Sequence, residues 1–120
     1  EFQGIGLETW RLPKVYNTAY MFYNCALFNT DISLMIPSDT GTLGILINTG
    51  SMFQLASSFN QPIGAWNVSN VNNMSFMFYG ATDFNGDISD WQTSQVTSIG
   101  QMFTGATAFN QDISSWAVQP

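Results

Sequence analysis

"MFYGATDFNGDISDW", residues 77–91, returns almost unchanged at 102–116 as "MFTGATAFNQDISSW". A chain that writes nearly the same fifteen residues twice, 25 positions apart, is built from a repeated unit, and looser copies extend the series back toward residue 1. The Met-Phe pair occurs at Met21, Met52, Met77 and Met102, with spacings of 31, 25 and 25 residues. Four residues after each Met stands a small residue (Cys25, Ala56, Ala81, Ala106), and seven after it a Phe (Phe28, Phe59, Phe84, Phe109) followed by Asn. Ile32, Ile63, Ile88 and Ile113 come next, then a large residue at Met35, Trp66, Trp91 and Trp116. Trp10 joins that series, since it lies eleven residues before Met21, as Trp66 does before Met77.

Two apolar periods alternate within a unit. Val71, Met74, Phe78 and Ala81, like Val96, Ile99, Phe103 and Ala106, are three or four apart, which predicts one face of a helix. Ser69 and Ser94 stand ahead as N-caps, and Gly80 and Gly105 near the ends. "FNQDISSW" has the length of a short strand with a turn in it. A helix–strand unit of this size cannot bury its own apolar face, so the expected fold is an α/β repeat stacked into a right-handed solenoid. About five short parallel strands would line one side and helices the other. The expected domain is 1–120, with coils at about 1–27, 28–58, 59–83, 84–108 and 109–120. One coil is irregular: 36–51 reads as an insertion in which Leu43, Ile45 and Ile47 alternate as in an extended strand.

The pattern "MFxxAxxFNxDISxWxVSxVxxM", met at 52–74, 77–99 and 102–116, resembles the BspA-type leucine-rich-repeat surface proteins of bacteria and some protists and algae. That resemblance implies a leucine-rich-repeat-like solenoid, a cell-surface or secreted location, long arrays and a link with adhesion. It implies no catalytic residues. Pro62 in place of the usual Asp and Met35 in place of Trp are departures.

Composition narrows function further. Charged residues make up 8% of the 120, and net charge is −6 with only Arg11 and Lys14 positive, so phosphates would find no basic stripe and nucleic acid is not an expected partner. Asn, Ser, Thr and Gln must wet the surface, a composition that points outside the cell. No apolar stretch approaches the roughly 20 residues of a membrane span. A lone Cys25, read as a buried inert thiol, excludes an internal disulfide, and the lack of His removes the commonest general base. No enzyme activity and no cofactor are expected.

The repeated columns have a structural and a functional reading. The rings of Phe28, Phe59, Phe84 and Phe109, and of Trp10, Trp66, Trp91 and Trp116, are read as core ladders rather than a sugar-stacking platform. Asn29, Asn60, Asn85 and Asn110 are read as buried amides bridging adjacent coils. Asp31, Asp87 and Asp112 suit turn capping; stacked about 5 Å apart, Asp87 and Asp112 are also a weak calcium candidate. Asn67 and Asn73 head the triplets Asn67-Val68-Ser69 and Asn73-Met74-Ser75 and are candidate glycan acceptors, both expected to be accessible. Tyr20, Tyr23, Phe76 and Tyr79 point off the predicted core face and, with Leu43, Ile45 and Ile47, are interface candidates. The expected role is an extracellular structural repeat that forms or decorates a fibre by head-to-tail stacking on other copies or adjacent repeats. The competing expectation is an adhesin or carbohydrate- or protein-binding module acting as a monomeric segment.

Overall fold

The three-and-four spacing of apolar residues is met without a helix. In the computed structural model, which describes residues 2–38 and 46–119, the one helical element is a single 3-10 turn at Leu7–Thr9. Strand pairing is confined to isolated parallel bridges, Asn17 to Asn48, Asn48 to Asn73 and Asn73 to Ser98. The expected α/β solenoid of five parallel strands backed by helices is therefore incorrect. The chain folds instead as a stack of turn-rich coils.

The reason lies in where alternate amides point. From Thr18 onward the N–H groups of Thr18, Tyr20, Phe22 and Asn24 donate to the carbonyls of Asn48, Gly50, Met52 and Gln54 in the next coil. Thr49, Ser51, Phe53 and Leu55 donate likewise to the third coil, and Met74, Phe76, Phe78 and Gly80 to the fourth, all at 2.7–3.2 Å. The amides in between close tight turns three residues back: Met77 to Met74, Tyr79 to Phe76, Ala81 to Phe78. An α-helix spends every N–H on the carbonyl four residues earlier and has none left for a neighbour. A strand spends alternate amides on neighbours but cannot fold back on itself. This ribbon does both, so neither regular element develops.

Turning every fourth residue requires positive φ, and the structure has it at Tyr20 and Asn24, Ser51 and Leu55, Phe76 and Gly80, and Gln101 and Gly105. Each is the third residue of a turn, where a type II geometry needs φ above zero. Gly80 and Gly105, read from sequence as helix ends, serve this purpose. Leu55 at φ 62° bears a cost of about 1–2 kcal/mol, which the inter-coil bonds around it offset. Ser69, expected as a helix N-cap, instead gives its N–H and hydroxyl to Asn67 Oδ1 at 3.1 and 2.6 Å.

The core is a double file of parallel rings. Phe22, Phe53, Phe78 and Phe103 follow one another at 5.6, 5.6 and 5.7 Å between centroids. Phe28, Phe59, Phe84 and Phe109 do so at 5.5, 5.9 and 6.0 Å. Within each coil the two files touch at 4.1–4.2 Å. Near-parallel rings this far apart along the stack are offset, the arrangement favoured by the ring quadrupole. Phe2 lies over the first coil, 6.3 Å from Phe22 and 5.8 Å from Phe28. Met52, Met74, Met77, Ile63, Ile88, Trp66 and Trp91 close the core around the rings.

"FNQDISSW" is not a strand, because its contacts between coils run largely through side chains. Its backbone turns at the Ile, with Trp66, Trp91 and Trp116 each donating N–H to the Ile three residues before. Coils approach closely here: a Cβ on Gly64 would lie 2.3 Å from the backbone oxygen of Asp87. Gly64→Ala is therefore expected to lower stability by about 1–3 kcal/mol, as overpacking against rigid backbone does, measured by chemical denaturation. Phe84→Ala should cost about 3–5 kcal/mol, and Phe109→Ala clearly less, since Phe84 is buried between two neighbours and Phe109 is only half-buried in the last coil.

Candidate interaction surfaces

Two ladders join the coils on the side away from the ribbon. Asn60, Asn85 and Asn110 each donate a backbone N–H to the side-chain oxygen of the Asn one coil earlier (Asn29, Asn60, Asn85) at 2.7–2.9 Å. Gln61 and Gln111 reinforce two of these rungs through Nε2. Asn29, Asn60, Asn85 and Asn110 are exposed, not buried as expected, because the amide sits at the surface corner after the buried Phe. The indole Nε1 atoms of Trp66, Trp91 and Trp116 donate to the carbonyls of Ile32, Ile63 and Ile88 at 3.1–3.2 Å. Trp10 departs from that column, being 49% exposed. A second Asn column, at Asn17, Asn48 and Asn73, follows the bridges. Each accepts the N–H two residues on, from Ala19, Gly50 and Ser75. Its sequence signal is an Asn four residues before Met21, Met52 and Met77.

Asp31, Asp87 and Asp112 stay exposed, and each accepts the N–H of the Ser two residues later at 2.8–3.0 Å. Their carboxyls are held below the usual range. For Asp87 and Asp112 the Ser hydroxyl is the main cause and the Ser N–H the next; for Asp31 the order is reversed. Among the described residues no three His, Cys, Asp or Glu side chains converge on a point that would hold a metal ion.

Of the two sequon asparagines, Asn73 is half-buried, and its Nδ2 lies 2.9 Å from where a Cβ on Gly50 would sit. The helix face that was to expose it does not exist. Asn67 is also half-buried, in the turn with Ser69. Cys25 is half-buried rather than fully so, with Sγ 3.6 Å from the Tyr23 carbonyl. Leu43 and Ile45 lie outside the described residues. Ile47 is 39% exposed, but its N–H goes to Tyr16 and its carbonyl accepts from Asn72, so its backbone is no free edge. Tyr20 and Tyr23 form an exposed edge-to-face pair at 5.7 Å; Phe76 and Tyr79 pair at the same distance but are half-buried.

The face of the fourth coil is open. Ile99, Met102, Phe103, Ile113 and Trp116 line a groove of about 430 Å³. Beside it the N–H groups of Ile99, Gln101, Phe103 and Gly105, whose counterparts in each earlier coil donate onward, find no acceptor among the described residues. At the opposite end the matching carbonyls of Asn17, Ala19 and Met21 accept nothing among the described residues. One end of the ribbon thus offers donors and the other acceptors.

A stack of repeated, turn-rich coils defines a repeat-array protein. The chain belongs to the family described as "Mycoplasma protein of unknown function, DUF285", which matches residues 39–120, more than half its length. No curated protein and no solved structure was found to match it. No helix among the described residues is long and apolar enough to cross a membrane.

The lowered aspartates carry a pH signature. A carboxyl depressed by folding contributes stability that is present above the ordinary value of about 3.9 and is lost as pH falls through the folded value. Replacing Asp31, Asp87 and Asp112 together by Asn keeps the acceptor oxygen and removes the charge. Thermal unfolding followed from pH 5 to pH 2, spanning that value, should show a shallower acid loss in the triple variant than in the wild type.

Proposed function

We propose that the chain is a structural repeat of an extracellular array, extended by coil-on-coil contact in the manner of the BspA-type surface proteins it resembles. The observation that carries this reading is the pairing of unlike ends. Donors of Ile99, Gln101 and Phe103 beside an apolar groove match the carbonyls of Asn17, Ala19 and Met21, which accept nothing among the described residues. A contact that joins one end to a different end is heterologous, and where its rotation does not close into a ring it generates filaments rather than dimers. The scarcity of charge supports the same reading, since few like charges oppose close packing of copies.

Sedimentation velocity over increasing concentration, with electron microscopy of the same samples, tests the proposal. Head-to-tail species that lengthen with concentration are expected, and Phe103→Glu in the open groove should reduce them to monomer. A wild-type chain that stays monomeric at high concentration would overturn it.

A further inference from the structure

Along the ribbon, the outward position at the first positive-φ residue of each coil is Tyr20, Ser51, Phe76 and Gln101. Three residues later come Tyr23, Gln54, Tyr79 and Thr104. The first and third coils thus carry aromatic pairs and the second carries small or flexible polar groups. The outcome is a slot of about 130 Å³ with Tyr20 on one side and Phe76 on the other, floored by Gly50 and Ser51 and edged by Asn48 and Asn73. Tyr20 and Phe76 stand at equivalent positions two coils apart, a step of roughly 10 Å at strand-like spacing, with the small Ser51 between them.

The slot's chemistry is mixed. Asn48 and Asn73 each spend Oδ1 on a backbone N–H, from Gly50 and Ser75. Their Nδ2 groups donate to nothing among the described residues, leaving amide donors at the rim. Gly50 has no positive φ to explain it; its missing side chain instead makes room for the Asn73 amide, whose Nδ2 would lie 2.9 Å from a Cβ there. No Lys, Arg, Asp or Glu lines the slot.

We propose that this slot binds a neutral sugar ring of a glycan. The slot is small and mainly polar in its lining, so it would take part of one ring rather than enclose a ligand: Tyr20 and Phe76 offer apolar surface to the C–H groups of a pyranose, and the Asn amides and Ser hydroxyls take its hydroxyls. A purely apolar ring fits the space less well, because it would cover the Asn amides without giving them an acceptor. An anionic sugar would meet no positive charge there. The site is lateral, so occupying it leaves both ends of the stack free.

The test uses the fold's own tolerance. Aromatic residues stand at the position of Ser51 in the coils on either side, at φ 62° and 58° against 57° for Ser51. Ser51→Tyr should therefore fold and fill the slot. The probes are maltohexaose, cellohexaose, laminarihexaose, mannohexaose and chitohexaose, titrated into the ¹⁵N-labelled chain while the Gly50 and Ser51 amides and the Asn48 and Asn73 Nδ2 signals are followed. At least one should shift these signals saturably with a Kd on the order of 0.1–1 mM. Ser51→Tyr, and separately Tyr20→Ala with Phe76→Ala, should weaken that binding tenfold or more with the remaining amide spectrum preserved. The proposal is overturned by no saturable shift from any of the five, by binding that Ser51→Tyr leaves unchanged, or by stronger shifts from an aromatic tetrapeptide. Filament formation is scored separately, so failure of one reading is distinguishable from failure of the other.

Discussion

Every coil is held to its neighbour by the step between stacked rings, about 5.6 Å from Phe53 to Phe78 and 5.7 Å from Phe78 to Phe103. Rings that close require backbones that close, and a backbone at that spacing can stay desolvated only if its amides bond across the gap. Alternate amides of the ribbon do so, which commits the remaining amides to turns three residues back. Those turns demand positive φ, and that demand excludes both helix and strand. Among the described residues the scarcity of regular secondary structure is thus a consequence of tight stacking, not of loose packing.

The sequence showed the repeat, the core columns and the kinship of successive coils, because these depend on which residues recur and not on backbone shape. It did not show the backbone. Val71, Met74, Phe78 and Ala81 are buried together as a helix face would be. Yet apolar residues three and four apart are also what successive turns bury, and periodicity alone cannot separate the two. The distinguishing signal was composition. Asn24, Gly80 and Gly105 at the turn's third residue, with Asn17, Asn48 and Asn73 ahead of it, are turn chemistry where a helix prefers Ala, Leu or Lys. The exposed aromatic positions were legible, but the slot was not, since it arises from what the coil between them lacks.

The two sides of the stack solve the same problem with different atoms. On the ribbon side the backbone supplies both partners of each rung, so residue type is free to vary there: Tyr20, Ser51, Phe76 and Gln101 occupy equivalent places. On the opposite side the rungs are side-chain amides and indoles, and Asn and Trp recur almost without exception. Variation is therefore concentrated on the face where the backbone does not depend on it. A structural array can carry a binding slot on that face without weakening its own cohesion.

The longer spacing between Met21 and Met52 has an entropic meaning. The rings of Phe22 and Phe53 sit 5.6 Å apart, the same as Phe53 and Phe78, although 31 residues rather than 25 separate them in the chain. Closure entropy grows only as the logarithm of the length between fixed ends, a difference of about 0.2 kcal/mol between 25 and 31 residues. On the closure count alone, length can differ between coils at little cost, and such variation can alter what the array displays while its ring-to-ring step stays the same.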